Sequence, residues 1–150
     1  MTRILLSIAF LLGFAGVAAA CPNWQAQGMQ AYATNGQDLW TPNSYNVTAG
    51  GNQALSNCGF NHVGYVISSP DFEFQLNGLE AYGRLNIRVT GNCDTVLLVN
   101  DANANWYYSD DADGLHPAID LMNPRSGVYD IWVGTYGQGT CGATLTLETF

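Results

Sequence analysis

Six of the nine aspartates in this chain fall between Asp94 and Asp120, and Asp110, Asp111 and Asp113 are the densest group. Carboxylates packed this closely repel one another unless a cation or a wide solvent shell separates them. Calcium takes six to eight oxygen ligands from carboxylates and carbonyls of this kind, so the stretch reads either as a calcium site or as a solvated acidic turn. Asp101, Asn103 and Asn105 repeat the one, three, five spacing of an EF-hand loop. The motif then fails: Trp106 stands where the turn needs glycine, and Ala112 where a bidentate glutamate would close the shell. A hairpin loop between a strand near Thr95 and one near Trp106 accounts for the same residues.

Hydrolytic chemistry needs a nucleophile with a base, or a working pair of carboxylates. His62 and His116 are the only histidines, and no serine lies in a Gly-x-Ser-x-Gly or Gly-Asp-Ser-Gly setting. A glycosidase could draw two carboxylates from the acidic group, but any acidic domain offers such pairs. No catalytic residues are therefore assigned. The aromatic residues Trp24, Trp40, Trp106, Tyr107, Tyr108 and Trp132 have two readings, as platforms for sugar rings or as core. Trp106, Tyr107 and Tyr108 are the stacking candidates; Tyr107 and Tyr108 are strand neighbours, so at least one of them faces away from the core. Asn46 opens an Asn-x-Thr sequon, relevant only in a eukaryotic secretory pathway.

The elements that must position these residues are strands. Phe72, Phe74 and Leu76 alternate with polar residues, as do Leu85, Ile87 and Val89, and Leu145 and Leu147. The run from Thr95 to Val99 is apolar on both faces, as in a central strand, and Val128 to Thr135 is rich in β-branched and aromatic residues. Turn signals such as Asn77-Gly78, Gly91-Asn92, Asp113-Gly114 and Ser126-Gly127 punctuate the chain. Residues 22–57 are less periodic, with strands expected near Leu39-Trp40 and Tyr45–Thr48. The pattern predicts an all-β fold, an antiparallel β-sandwich or jelly roll, formed by residues 21–150 as one domain.

Residues 1–20 read as a signal peptide: Arg3, an apolar run from Ile4 to Val17, then Ala18, Ala19 and Ala20 before Cys21. No second apolar run of that length follows, so no transmembrane segment is expected in the mature form. Export places Cys21, Cys58, Cys93 and Cys141 in an oxidising compartment, secreted or periplasmic, where two disulfides are expected. Three pairings are open. Cys21 with Cys58 and Cys93 with Cys141 is favoured, because the second pair flanks strand-like segments able to lie side by side. A lipid anchor on Cys21 is the competing reading; it would orphan one thiol, and Ala18 stands where lipoprotein signals usually carry leucine. The chain has no lysine and a formal net charge of −8. Such a surface repels phosphates, which excludes nucleic acid as a partner.

The text Asp-Thr-Val-Leu-Leu-Val-Asn-Asp from Asp94, Asn-Trp-Tyr-Tyr-Ser-Asp-Asp from Asn105, His-Pro-Ala-Ile from His116 and Gly-Val-Tyr-Asp-Ile-Trp-Val-Gly-Thr-Tyr from Gly127 resembles the bacterial pre-peptidase C-terminal domain and its stand-alone secreted relatives. The resemblance covers roughly the last sixty residues, and the first seventy only loosely. It implies a β-sandwich, often calcium-stabilised, that accompanies exported enzymes as a non-catalytic module. Carried over by position, Asp94, Asp110, Asp111 and Asp113 are the expected calcium ligands, with Asp101 as a further candidate. This sequence departs from the family's usual setting in carrying no protease segment and in its four cysteines, so disulfides are expected to do part of the stapling. A peptidase label would rest on no residue here. The expected function is a secreted binding or structural module for a polysaccharide, a protein or the cell envelope; the alternative is a small secreted hydrolase.

Overall fold

The computed structural model describes residues 21–150; the expected signal peptide, residues 1–20, lies outside them. Eleven strands follow one another: β1 (Gln30–Asn35), β2 (Asn43–Gly51), β3 (Gln53–Ala54), β4 (Tyr65–Val66), β5 (Phe72–Asn77), β6 (Arg84–Gly91), β7 (Thr95–Asn100), β8 (Trp106–Ser109), β9 (Ala118–Met122), β10 (Gly127–Thr135) and β11 (Gly139–Thr149). They form two sheets. In one, β10 is the hub: β5 and then β4 pair along one side of it and β7 along the other, with β1, β3 and β8 outside them. The second sheet has the order β2-β11-β6-β9.

The alternating residues explain why the two sheets stack. Phe72, Phe74 and Leu76 of β5, Leu85, Ile87 and Val89 of β6, and Leu145 and Leu147 of β11 are all buried in one cluster between the sheets, with Tyr129, Ile131 and Val133 from β10. Their polar neighbours point outward, and that is what period two dictates. Every residue of β7 is buried, as expected of a strand covered on both faces. Its outer cover is a second cluster, Leu55, Val66, Leu98 and Trp132, against which Phe60, Ile67, Trp106 and Tyr108 pack. The segment from Leu55 to Ser68, whose β4 joins the sheet beside β10, thus supplies the cover of the first sheet's outer face. Gly64 makes that approach possible: its φ is 131°, and a Cβ there would meet Val96 at 2.7 Å.

Two local expectations change. Leu39 and Trp40 belong to a 3-10 turn, Asp38–Trp40, because Asn35 and Asp38 exchange hydrogen bonds across it (Asp38 N–H to Asn35 Oδ1, 2.9 Å; Asn35 Nδ2 to Asp38 Oδ2, 2.8 Å), while Leu39 still reaches the core. Local side-chain bonding of this kind competes with strand pairing. The sheets are also not wholly antiparallel, since β1 pairs with β5 in parallel from Gln30↔Phe72 to Asn35↔Asn77.

Cys21 pairs with Cys58 and Cys93 with Cys141. Of the three pairings open from sequence, this is the favoured one, and two disulfides fit an oxidising compartment. Among the described residues no helix is long and apolar enough to cross a membrane.

Asp71, just before β5, is 6% exposed and accepts a hydrogen bond from Val133 N–H at 2.8 Å. Burial pushes its carboxyl up to about 7, against the smaller downward pull of that N–H. A raised folded-state value means that the folded protein holds a proton the unfolded chain has already released. Stability therefore falls as pH rises from about 4 to about 7 through this group. Asp71→Asn keeps the acceptor and removes the charge, so it is expected to flatten that slope and to raise stability at pH 8 on the order of 2 kcal/mol. Thermal melts of both proteins across the window check it; a variant no more stable than the parent at pH 8 contradicts the assignment.

Candidate functional site

The β7–β8 hairpin brings the acidic residues together. Its register runs from Asn100↔Trp106 to Leu97↔Ser109, so the residues just past β8 arrive beside those just before β7. Asp94, just before β7 and next to the Cys93 disulfide, thereby meets Asp110 and Asp111: one carboxylate oxygen from each lies within 4.8 Å of the others. The loop that follows is held back over this end by bonds to Leu115 O from Thr95 N–H (3.2 Å) and Thr95 Oγ1 (3.4 Å). Asp94 O also accepts from Tyr136 N–H at 3.0 Å, which ties in the end of β10.

Asp94 Oδ1 and Asp110 Oδ1 are buried without a hydrogen-bond donor. Burial, and then the charges of Asp111 and Asp94, raise the Asp110 carboxyl above its ordinary value. Buried acceptors are normally satisfied, so three convergent carboxylates, two of them with an orphaned oxygen, form a donor set of the kind a hard cation takes. The residues present fit calcium in both the chemistry of the oxygens and the charge they leave uncompensated.

The other two sequence candidates lie elsewhere. Asp101 is consumed by its own hairpin loop: Oδ1 accepts from the N–H groups of Asn103 and Asn105, both at 2.9 Å, and Oδ2 from Asn105 Nδ2 at 3.3 Å and Tyr107 Oη at 3.1 Å. The spacing that imitates an EF-hand is that of a loop tied around an aspartate. Asp113 is outside the group of three and makes a backbone bridge with His116.

Trp106, Tyr107 and Tyr108 do not form a flat row. Trp106 packs on Trp132 and Phe60, with ring centroids 5.3 and 5.1 Å apart, as part of the outer cluster. Tyr107 turns to the opposite face and packs on the core between the sheets. Only Tyr108 belongs to the acidic end. Its phenol donates to Val63 O at 2.6 Å, and burial, then Asp110, raises its pKa.

Tyr108 also forms the wall of an open cleft of about 390 Å3 with Phe60, His62, Tyr136 and Asp110, and with Ser56 on its margin. Serine, histidine and aspartate are the residue types of a hydrolytic triad, but the His62 imidazole lies flat on Tyr108, centroids 4.1 Å apart and planes 8° from parallel. No hydrogen bond joins Ser56, His62 and Asp110 among the described residues, and His116 Nδ1 is buried without a partner. Sequence reasoning missed Phe60, His62 and Tyr136 as neighbours of the acidic group. They come from segments without periodicity, brought together only by the Leu55–Ser68 cover and the β10–β11 turn.

No family model and no curated protein matches the chain. Among solved structures, the chain is similar to the pre-peptidase C-terminal domain of collagenase from Bacillus anthracis, with a TM-score of 0.50 over 82% of this chain and 99% of that domain, at 13% sequence identity. At that identity the likeness is one of architecture: the chain has the β-sandwich fold of a pre-peptidase C-terminal domain.

Proposed function

We propose that the protein is an exported, non-catalytic module in which Asp94, Asp110 and Asp111 hold a calcium ion that braces one end of the sandwich. The neighbouring aromatic cleft would then serve as a docking surface for a polysaccharide, a protein or the cell envelope. The reading is carried by the convergence of the Asp94, Asp110 and Asp111 carboxylates, two of which have an orphaned Oδ1, with no ion pair to any of the three among the described residues. Calcium would supply electrostatic cross-linking between the start of β7 and the residues after β8, beside the Cys93–Cys141 disulfide. His62, stacked on Tyr108 rather than bonded to Ser56, supports a binding role over a hydrolytic one.

Thermal melting with calcium and with a chelator tests this. Calcium at a hundredfold its dissociation constant stabilises a folded state by about 2.7 kcal/mol, which for a domain of this size is a rise of roughly 10 °C in Tm. Asp110→Asn should abolish that response and, in chelator, leave Tm unchanged or higher, because it removes a like-charge contact. An unchanged midpoint for the parent protein at millimolar calcium would remove the metal from the account.

A further inference from the structure

A second cleft, of about 630 Å3, opens on the outer face of the first sheet, and it rests on a row of polar residues across three strands. Asp130 of β10 stands directly opposite Glu73 of β5 on one side and Asn100 of β7 on the other. Facing residues in antiparallel strands have Cβ atoms ~4.5–5.5 Å apart, and like charges there are destabilising. Asp130 is nevertheless 3% exposed, and its Oδ1 is buried with no partner. Glu73 receives one N–H, from Gly28 at 3.2 Å. The Asp101 loop closes one side of the cleft.

Trp24, 44% exposed, also lines the cleft. The N-terminal segment that bears it is fixed by the Cys21–Cys58 disulfide, by Asn23 N–H to Ser68 O at 2.9 Å and by the contact of Gly28 with Glu73, where even a Cβ would not fit. The lining thus presents three carboxylates and an indole, with no arginine among its residues.

We propose that this cleft binds an organic cation, the ammonium or guanidinium head of a basic side chain on a partner protein. The orphaned Asp130 oxygen and Glu73 accept its N–H groups, Trp24 covers its charge with an aromatic face, and Val128 and Ala102 pack along its methylene stem. Cation–π and carboxylate contacts then act on one head group. A neutral sugar would satisfy the indole but leave adjacent carboxylates uncompensated. A bare metal ion would leave the indole without a role, and both oxygens of Asp101 are already taken. The site lies apart from Asp94, Asp110 and Asp111, and its occupancy does not depend on calcium there.

The pH dependence follows from the same geometry. Burial and then Glu73 raise the Asp130 carboxyl to about 7. The groups facing it are Glu73 on β5, Asn100 on β7 and the Asp101 loop, none of them cationic. A cation therefore competes with a proton, and binding should tighten several-fold between pH 6 and pH 8.

The experiment titrates the folded, disulfide-bonded protein with N-acetyl-lysine amide and N-acetyl-arginine amide, with N-acetyl-glutamine amide and cellohexaose as neutral probes, reading the backbone amides of the lining residues Ala102, Ala104 and Val128 by NMR, and the Trp24 indole where it is present, in calcium and in chelator. The expected result is that the basic probes bind and the neutral ones do not, that Trp24→Ala weakens binding roughly tenfold, and that Asp130→Asn weakens it and abolishes the pH dependence. Because Trp24 is at the surface, its variant tests the site even if Asp130→Asn misfolds. Binding of cellohexaose in place of the basic probes, an unaltered affinity in Trp24→Ala, or no shift with any probe would each overturn the proposal. Loss of the calcium response with the cation site intact would instead count only against the metal.

Discussion

Trp132→Ala is expected to lower stability by about 3–5 kcal/mol, the range for removing a large aromatic side chain from a packed interior. Trp132 has no solvent exposure and sits at the centre of the outer cluster, against Leu98 on the next strand and the ring of Trp106. Its indole N–H donates to Ser68 O at 3.3 Å, which pins the end of the Leu55–Ser68 cover to the sheet. The substitution thus opens a cavity and releases an anchor. The corresponding fall in Tm is roughly 10–20 °C for a domain of this size. Trp132→Phe keeps most of the volume and loses the donor, so it should cost much less. Urea denaturation at constant slope measures both. A loss below about 1 kcal/mol in the alanine variant would mean that the cover is held by something other than this cluster.

The second large effect belongs to the disulfide between Cys93 and Cys141. The two are 48 residues apart, and closing a loop of that length removes about 4 kcal/mol of chain entropy from the unfolded state. The paired substitution Cys93→Ala with Cys141→Ala is expected to cost about that much, or roughly 15 °C in Tm. It should also reduce the calcium response, because Asp94 is the next residue after Cys93 and loses its brace to β11. Differential scanning calorimetry of the double variant, with and without calcium, separates the two effects. A double variant that melts with the parent would show the cross-link to be redundant with the β11–β2 and β11–β6 pairings.

The strands were legible where burial is one-sided. Phe72 to Asn77 and Arg84 to Gly91 alternate because one face meets the core and the other meets water, and that asymmetry is written residue by residue. The run from Thr95 was legible for the opposite reason, since a strand covered twice has no polar side. Leu39 was misread because an apolar residue in a short turn has the same composition as one in a strand; the Asn35 and Asp38 side chains decide between them. The parallel partner of β1 was beyond reach, because period two specifies which face is buried and says nothing of which neighbour lies alongside.

Within the site, composition alone picked out the acidic stretch but could not sort it. Asp94, Asp110 and Asp111 meet because the β7–β8 register aligns the two ends of the hairpin, while Asp101 lies at its far end, wrapped in its own loop. The pairing of Asp130 with Glu73 had no local signal at all, since the two are far apart in the chain and each sits among apolar neighbours. The sequence by itself determined the all-β class and the excess of negative charge, because each depends on residue type and short-range period. Only the tertiary structure decided which carboxylates come together and which are already spoken for, because proximity across a sheet is a property of register and of the segments folded over it.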